Sequence, residues 1–193
     1  MSVGIVQAEG VKEEFNLKIR STTILAVKVG DKIAIAGDGQ VTFGDTVFKN
    51  KAVKVRKFYN NTIVAGFAGA AADAFALFDK FENKLEEFGG NLKKASVELA
   101  KEWRSDKALR ELDAMLVVGD KKNLLILSGT GDVLETDDDI AAIGSGGIYA
   151  YSAAKALKRQ TKLEPHEVVR ESLQIAGEIC IYTNTNITVE KLY

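Results

Sequence analysis

From Thr22 onward, Val-, Ile- and Thr-rich runs come in pairs separated by short polar turns before any helical spacing begins, and this pairing most narrows the folds open to the chain. The runs TTILAVKV and KIAIAG flank GDK, and AVKVRKFY and TIVAGFAG flank NN. The spacing then switches. In AADAFALFDKFENKLEEF, Ala74, Leu77, Phe78, Phe81, Leu85 and Phe88 recur three and four apart, ending at Gly89-Gly90, which predicts an amphipathic helix. NLKKASVELAKEWRSDKALREL repeats the signal through Leu92, Ala95, Leu99 and Trp103, with Asn91 placed as an N-cap. AMLVVGD and NLLILSG form a third hairpin, and DVLET and IAAIGSGG continue the sheet. Two more helical segments follow, IYAYSAAKALKRQ and PHEVVRESLQIAGEICIY, with Pro165 in a first turn, and NITVEKL closes the chain as a strand. Regular βαβ alternation would predict a parallel sheet; blocks of hairpins alternating with helix pairs predict an antiparallel α+β layered domain.

With 193 residues the chain suits one domain, and a single proline and no Ser/Pro-rich stretch leave no internal linker. Basic and acidic side chains balance at 26 to 27, so nucleic acid is not an expected partner. One cysteine and one histidine exclude an internal disulfide framework and a Cys/His zinc site, and point to a reducing, cytoplasmic setting. No apolar run reaches membrane-span length, and residues 1–21, mixing Glu9, Lys12, Glu13, Glu14, Lys18 and Arg20, carry neither a secretory h-region nor an acid-poor transit pattern. The expectation is a soluble protein without membrane partners.

The chemistry narrows by elimination. Histidine-dependent nucleophilic devices would have to use His166, which reads as a solvated first-turn residue. The run ETDDDI at 135–140 lacks the alternation, glycine and terminal glutamate of a calcium loop and reads as a solvated turn. Cys180 reads as a small core residue on the apolar face of the last helix. Glycine clusters remain: AGDGQ, AGFAG, and GSGG at a strand-to-helix junction. GSGG is either a tight turn for close packing or an anion cradle, and matches neither GxGxxG nor a P-loop.

Taken in order, TTILAV, AGDGQVTFGDTVFKNKAVKVRKFY, IVAGFAGAAADAFALF, VELAKEWRSDK, SGTGDV, AAIGSGG and AGEICIYTN resemble the HslV family, the peptidase subunits of bacterial two-component ATP-dependent proteases. That family is related to proteasome β-subunits among the N-terminal nucleophile hydrolases. The resemblance spans residues 22–193 and implies a four-layer α-β-β-α sandwich of antiparallel sheets.

The resemblance also implies a chemistry. Residues 1–21 would be a propeptide removed by cleavage between Ser21 and Thr22, leaving Thr22 as nucleophile with its own α-amine, of ordinary pKa about 7.7–8.0, as base. Thr23 is the competing start by one position, and the double threonine of the family it resembles favours the first. Lys54 would correspond to the family's active-site lysine, disfavouring protonation of the amine and stabilising the developing alkoxide; alternatively it is an outward-facing strand lysine, as Arg56 and Lys57 are read to be. Asp38 would orient Lys54 and the threonine, or is simply a turn former. Gly66 would offer its N–H to the oxyanion at a place where a side chain would obstruct substrate, and Ser145 would help hold the amine and hydroxyl. Main-chain carbonyls of Gly177, Cys180 and Thr183 would hold a structural sodium ion. The implied assembly is a homododecamer of two stacked hexameric rings, fed with unfolded polypeptide by an HslU-type hexameric ATPase; no nucleotide motif places ATP on this chain. Two other readings stand beside it: a small-molecule amidase using the same nucleophile, and an unprocessed structural ring subunit.

Overall fold

A computed structural model describes residues 22–69, 71–110, 112 and 114–193. The expected propeptide, residues 1–21, lies outside the described residues. Strands β1 (Thr23–Val29) and β2 (Lys32–Gly37) form the first hairpin, followed by a small hairpin of β3 (Val41–Phe43) and β4 (Thr46–Lys49). Then come β5 (Val55–Phe58), β6 (Ile63–Ala68), and the helices α1 (Ala71–Glu87), α2 (Leu92–Ser105) and α3 (Lys107–Arg110). Next are β7 (Met115–Gly119), β8 (Leu124–Ser128), β9 (Val133–Glu135), β10 (Ile140–Gly144), α4 (Gly147–Gln160), α5 (Pro165–Ile179) and β11 (Thr188–Leu192).

The strands build two antiparallel sheets, one ordered β10-β1-β2-β11 and the other β5-β6-β7-β8-β9. Because successive side chains point to opposite faces, each central strand supplies two cores at once. Ile24, Ala26, Ile33 and Ile35 meet Val55, Val64 and Val117 between the sheets. Leu25, Val27, Ala34 and Ala36 turn outward onto Val168, Val169, Leu173 and Ala176 of α5 and Ala150 and Ala154 of α4. On the far side, Phe67, Leu116, Val118, Leu125 and Leu127 pack on Leu77, Phe81, Leu85, Leu99 and Trp103 of α1 and α2. The result is four layers, α1/α2, sheet, sheet, α4/α5, as the resemblance implied. Burial on both faces explains why the antiparallel strands read as continuous apolar runs and not as alternating ones.

Three local expectations change. Strand β10 does not extend the sheet of β9; it crosses over to pair with β1, Thr23 opposite Gly144. The single helical signal after Asn91 is interrupted at Asp106, whose N–H bonds to the Glu102 carbonyl and whose side chain accepts Leu109 N–H at 3.1 Å. Asn91 does cap α2, accepting Lys94 N–H at 3.1 Å. Cys180 is not on the face of the last helix but is its C-cap, buried, its N–H on the Ala176 carbonyl.

Candidate active site

The site forms where the open end of the β1–β2 hairpin meets the lead-in to β5. Asp38 follows β2 directly and is fully buried. Its carboxylate is paired and hydrogen-bonded throughout: Oδ1 accepts Thr23 N–H and Lys54 Nζ, both at 2.8 Å, while Oδ2 accepts the N–H groups of Gln40 at 2.9 Å and Asn184 at 3.3 Å. A buried carboxylate is tolerated only on such terms. Asp38 is thus not merely a turn former: it binds the start of β1, its own turn, the loop after α5 and the lysine into one unit.

Lys54 lies just before β5, not within it, and is 9% exposed. Its ammonium also donates to the Gln40 carbonyl at 2.6 Å. Burial pushes its pKa below the ordinary 10.5, while the charge and hydrogen bond of Asp38 pull it back up. The outward-facing alternative does not hold for this residue.

Thr22 and Thr23 face different surroundings. Thr23 is fully buried, its Oγ1 lying 2.7 Å from Thr183 Oγ1 and accepting Gly146 N–H at 2.9 Å, so both its hydroxyl and its amide are committed to the fold. Thr22 lines a cavity of about 150 Å³ together with Lys54. Its carbonyl accepts Ser145 N–H at 2.9 Å. Gly144, at φ +87°, allows that approach, since a Cβ there would collide with the Thr22 carbonyl oxygen. Ser145 therefore reaches Thr22 through its main chain, and its residue is otherwise exposed. GSGG serves as a close-packed turn on the two threonines: a Cβ at Gly146 would lie 2.6 Å from Thr23 Oγ1.

The cavity wall is apolar with a basic rim: Val41, Ala52, Val53, Phe67, Ala74, Phe75 and Phe78, with Lys49 and Arg56. Arg56 is exposed, but it is not a bystander; its guanidinium stands 5.4 Å from the Phe75 ring centre and 5.5 Å from that of Phe78.

The structure corrects the expectation for Gly66. Phe67 N–H donates to the Lys54 carbonyl, so by antiparallel alternation Gly66 turns its main-chain groups the other way, toward Val117 of β7, inside the ladder. A Cβ at Gly66 would meet Ile24 at 2.7 Å and Ile35 at 2.9 Å, between the sheets and not in any substrate path. The glycine that lines the cavity is Gly69, one residue past the end of β6 with φ +152°. It stood within the AGFAG cluster, but only the ladder's phase separates the two glycines.

Gly177, Cys180 and Thr183 lie along the last turn of α5 and the turn after it. Cys180 N–H closes the helix on the Ala176 carbonyl, so the carbonyls after Ala176 lie beyond its last regular bond, and the Cys180 carbonyl accepts Thr183 N–H at 3.0 Å. Among the described residues no group of three His, Cys, Asp or Glu side chains could hold a metal. His166 is not among the residues lining the cavity; its Nδ1 pairs with Tyr193 Oη at 2.5 Å, so it is partly packed and not simply solvated. No helix among the described residues is long and apolar enough to cross a membrane.

Comparison with known proteins follows the same outline. The family model for proteasome subunits matches residues 19–192. The ATP-dependent protease subunit HslV of Caldanaerobacter subterraneus subsp. tengcongensis is 58% identical over 174 residues, covering 90% of this chain and 99% of the relative. That of Thermoanaerobacter pseudethanolicus is 55% identical over 174 residues, again 90% and 99%. The crystal structure of HslV from Trypanosoma brucei superposes with a TM-score of 0.83 at 44% identity, covering 88% of this chain and 98% of that one. The Thiobacillus denitrificans protein BPH shares the fold at 19% identity, with a TM-score of 0.69 over 88% and 97% of the two chains.

Proposed function

The chain belongs to the proteasome family, among its HslV-type peptidase subunits, and from that premise we propose that cleavage after Ser21 makes Thr22 both nucleophile and base. The observation that carries this reading is the division of labour between the two threonines: Thr22 shares a cavity with Lys54, whereas the Thr23 hydroxyl is consumed by Gly146 and Thr183. In the processed chain the Thr22 α-amine accepts the proton of Oγ1 as that oxygen attacks the substrate carbonyl. The Lys54 charge beside it favours the unprotonated amine and steadies the alkoxide, and Asp38 fixes the ammonium in place. The tetrahedral oxyanion takes a main-chain donor at the cavity edge; Gly69, which lines the cavity, supports that role in preference to Gly66, which is paired with β7. As the C–N bond breaks, the α-amine returns the proton to the leaving amine; water, deprotonated by the same amine, then releases the acyl group from Thr22.

An apolar cavity of this size suits the side chain preceding the scissile bond, since about 150 Å³ accommodates a benzene-sized ring. Its basic rim disfavours Lys or Arg there. A sodium ion on the carbonyls of Gly177, Cys180 and Thr183 would brace the loop that carries the Thr183 clasp on Thr23. The proposed assembly is a dodecamer of two hexameric rings in the cytoplasm, receiving unfolded chains from an HslU-type ATPase. The test is peptide turnover by Thr22→Ala in the presence of that ATPase and ATP. The account expects none, with assembly intact; retained turnover, contaminants excluded, rejects the nucleophile.

A further inference from the structure

The Lys54–Asp38 pair depends on loops, not on a ladder. Residues 51–54 have no regular secondary structure, and the turn at 38–40 lies beyond the end of β2. One side chain ties these segments together. Asn184 Oδ1 accepts Gly39 N–H at 3.0 Å and Asn186 N–H at 3.1 Å, while its Nδ2 donates to the Asn50 carbonyl at 3.1 Å and to Asn50 Oδ1 at 3.3 Å. Its main-chain N–H reaches Asp38 Oδ2 at 3.3 Å. The strap closes over a tight main-chain crossing: Ala52 N–H bonds the Gly39 carbonyl at 2.9 Å, and a Cβ on Gly39 would lie 3.0 Å from Lys51 Cα.

We propose that Asn184 is a positioning residue, whose amide straps the Asp38–Gly39 turn to the segment delivering Lys54 and so keeps that pair in register with Thr22. The inference rests on the proposed threonine chemistry. Asn184 does not line the Thr22 cavity, so it acts on the chemical step and not on substrate capture. Without the strap the ion pair loosens, and Lys54 loses what offsets its burial. The charged groups described around Lys54 include the Asp38 carboxylate and, sharing the cavity, Lys49 and Arg56, to which processing would add the Thr22 amine; none is altered by changing Asn184.

The experiment compares the processed wild type, Asn184→Ala, Asn184→Asp and Thr22→Ala. Each is assembled with the ATPase partner and assayed with a fluorogenic peptide carrying an apolar residue before the reporter, across pH. Asn184→Ala is expected to lower kcat by between about tenfold and about 100-fold with KM unchanged, the cost of a small misplacement. Its alkaline limb moves to lower pH. Asn184→Asp keeps the acceptor for Gly39 N–H but loses the donor to Asn50, so kcat falls here too, while the added negative charge near the Lys54–Asp38 pair moves the alkaline limb to higher pH. Opposite displacements support the inference. Unchanged kcat in the Ala variant, or a loss of kcat with neither limb displaced, overturns it. Residual turnover by Thr22→Ala would instead reject the threonine reading itself, which keeps the two failures apart.

Discussion

Replacing Lys54 by methionine keeps an unbranched chain of similar reach but removes the ammonium that Asp38 was folded around. Asp38 is fully buried and Lys54 only 9% exposed, so the change leaves an unpaired carboxylate inside the protein. Breaking a buried pair by removing one partner costs about 3–5 kcal/mol. Three N–H donors, from Thr23, Gln40 and Asn184, stay on the carboxylate, which argues for the lower end, about 3 kcal/mol. For a chain of this length that is a fall in Tm of about 6–12 °C. Loss of a preorganised charge beside the developing Thr22 alkoxide and its amine should lower kcat by about 10²–10³-fold. Lys57→Met is the internal control, since Lys57 is on β5, partly exposed and 3.6 Å from Glu190, where a pair is worth about 0–1 kcal/mol. Both variants would be melted at matched protein concentration and assayed for peptide turnover with the ATPase. If Lys54→Met melts and turns over like Lys57→Met, the argument that Asp38 and Lys54 form the catalytic support fails.

The pKa of Lys54 gives a sign for pH effects: it lies below the 10.5 of an unfolded lysine, so as pH rises the folded state releases this proton first. Between the two values the contribution of Lys54 to folding stability increases with pH, while turnover, which needs its charge, declines; a pH–rate profile should fall on an alkaline limb that is absent in Lys54→Met. Gly144→Ala should abolish turnover and lower Tm, because the new Cβ would occupy the space of the Thr22 carbonyl at a φ of +87°; wild-type melting and kinetics would contradict the contact. Phe75→Ala opens one wall of the cavity and removes a ring under Arg56, so KM should rise for peptides with an aromatic residue before the scissile bond and change little for those with alanine. Equal effects on both peptides would show that the cavity does not hold that side chain.

Much of this was legible in the chain because the signals were local. Hairpin turns, helical spacing and the Asn91 cap are decided within a few residues, whereas the four layers were implied by the family resemblance and not by the spacing. What escaped was set by pairing across long separations. Nothing near residue 140 tells β10 to leave β9 and join β1, yet that choice brings Gly144 and Ser145 onto Thr22. Gly66 and Gly69 look alike in AGFAG; only the phase of hydrogen bonding with β5 and β7 puts one in the ladder and the other on the cavity. Arg56 and Asn184 have no sequence signal at all, because their partners are aromatic rings of α1 and a turn 145 residues away. The ambiguity between the two threonines likewise had no local answer, since the Gly146 and Thr183 groups that occupy Thr23 arrive from distant loops.

The central claim is about one bond. Intact-mass measurement of assembled rings, taken on the same sample whose peptide turnover is recorded, tests it most directly. The account predicts that active rings contain a chain beginning at Thr22, and that Thr22→Ala rings turn over no peptide. Active rings whose subunits still carry residues 1–21, or begin at Thr23, would contradict it.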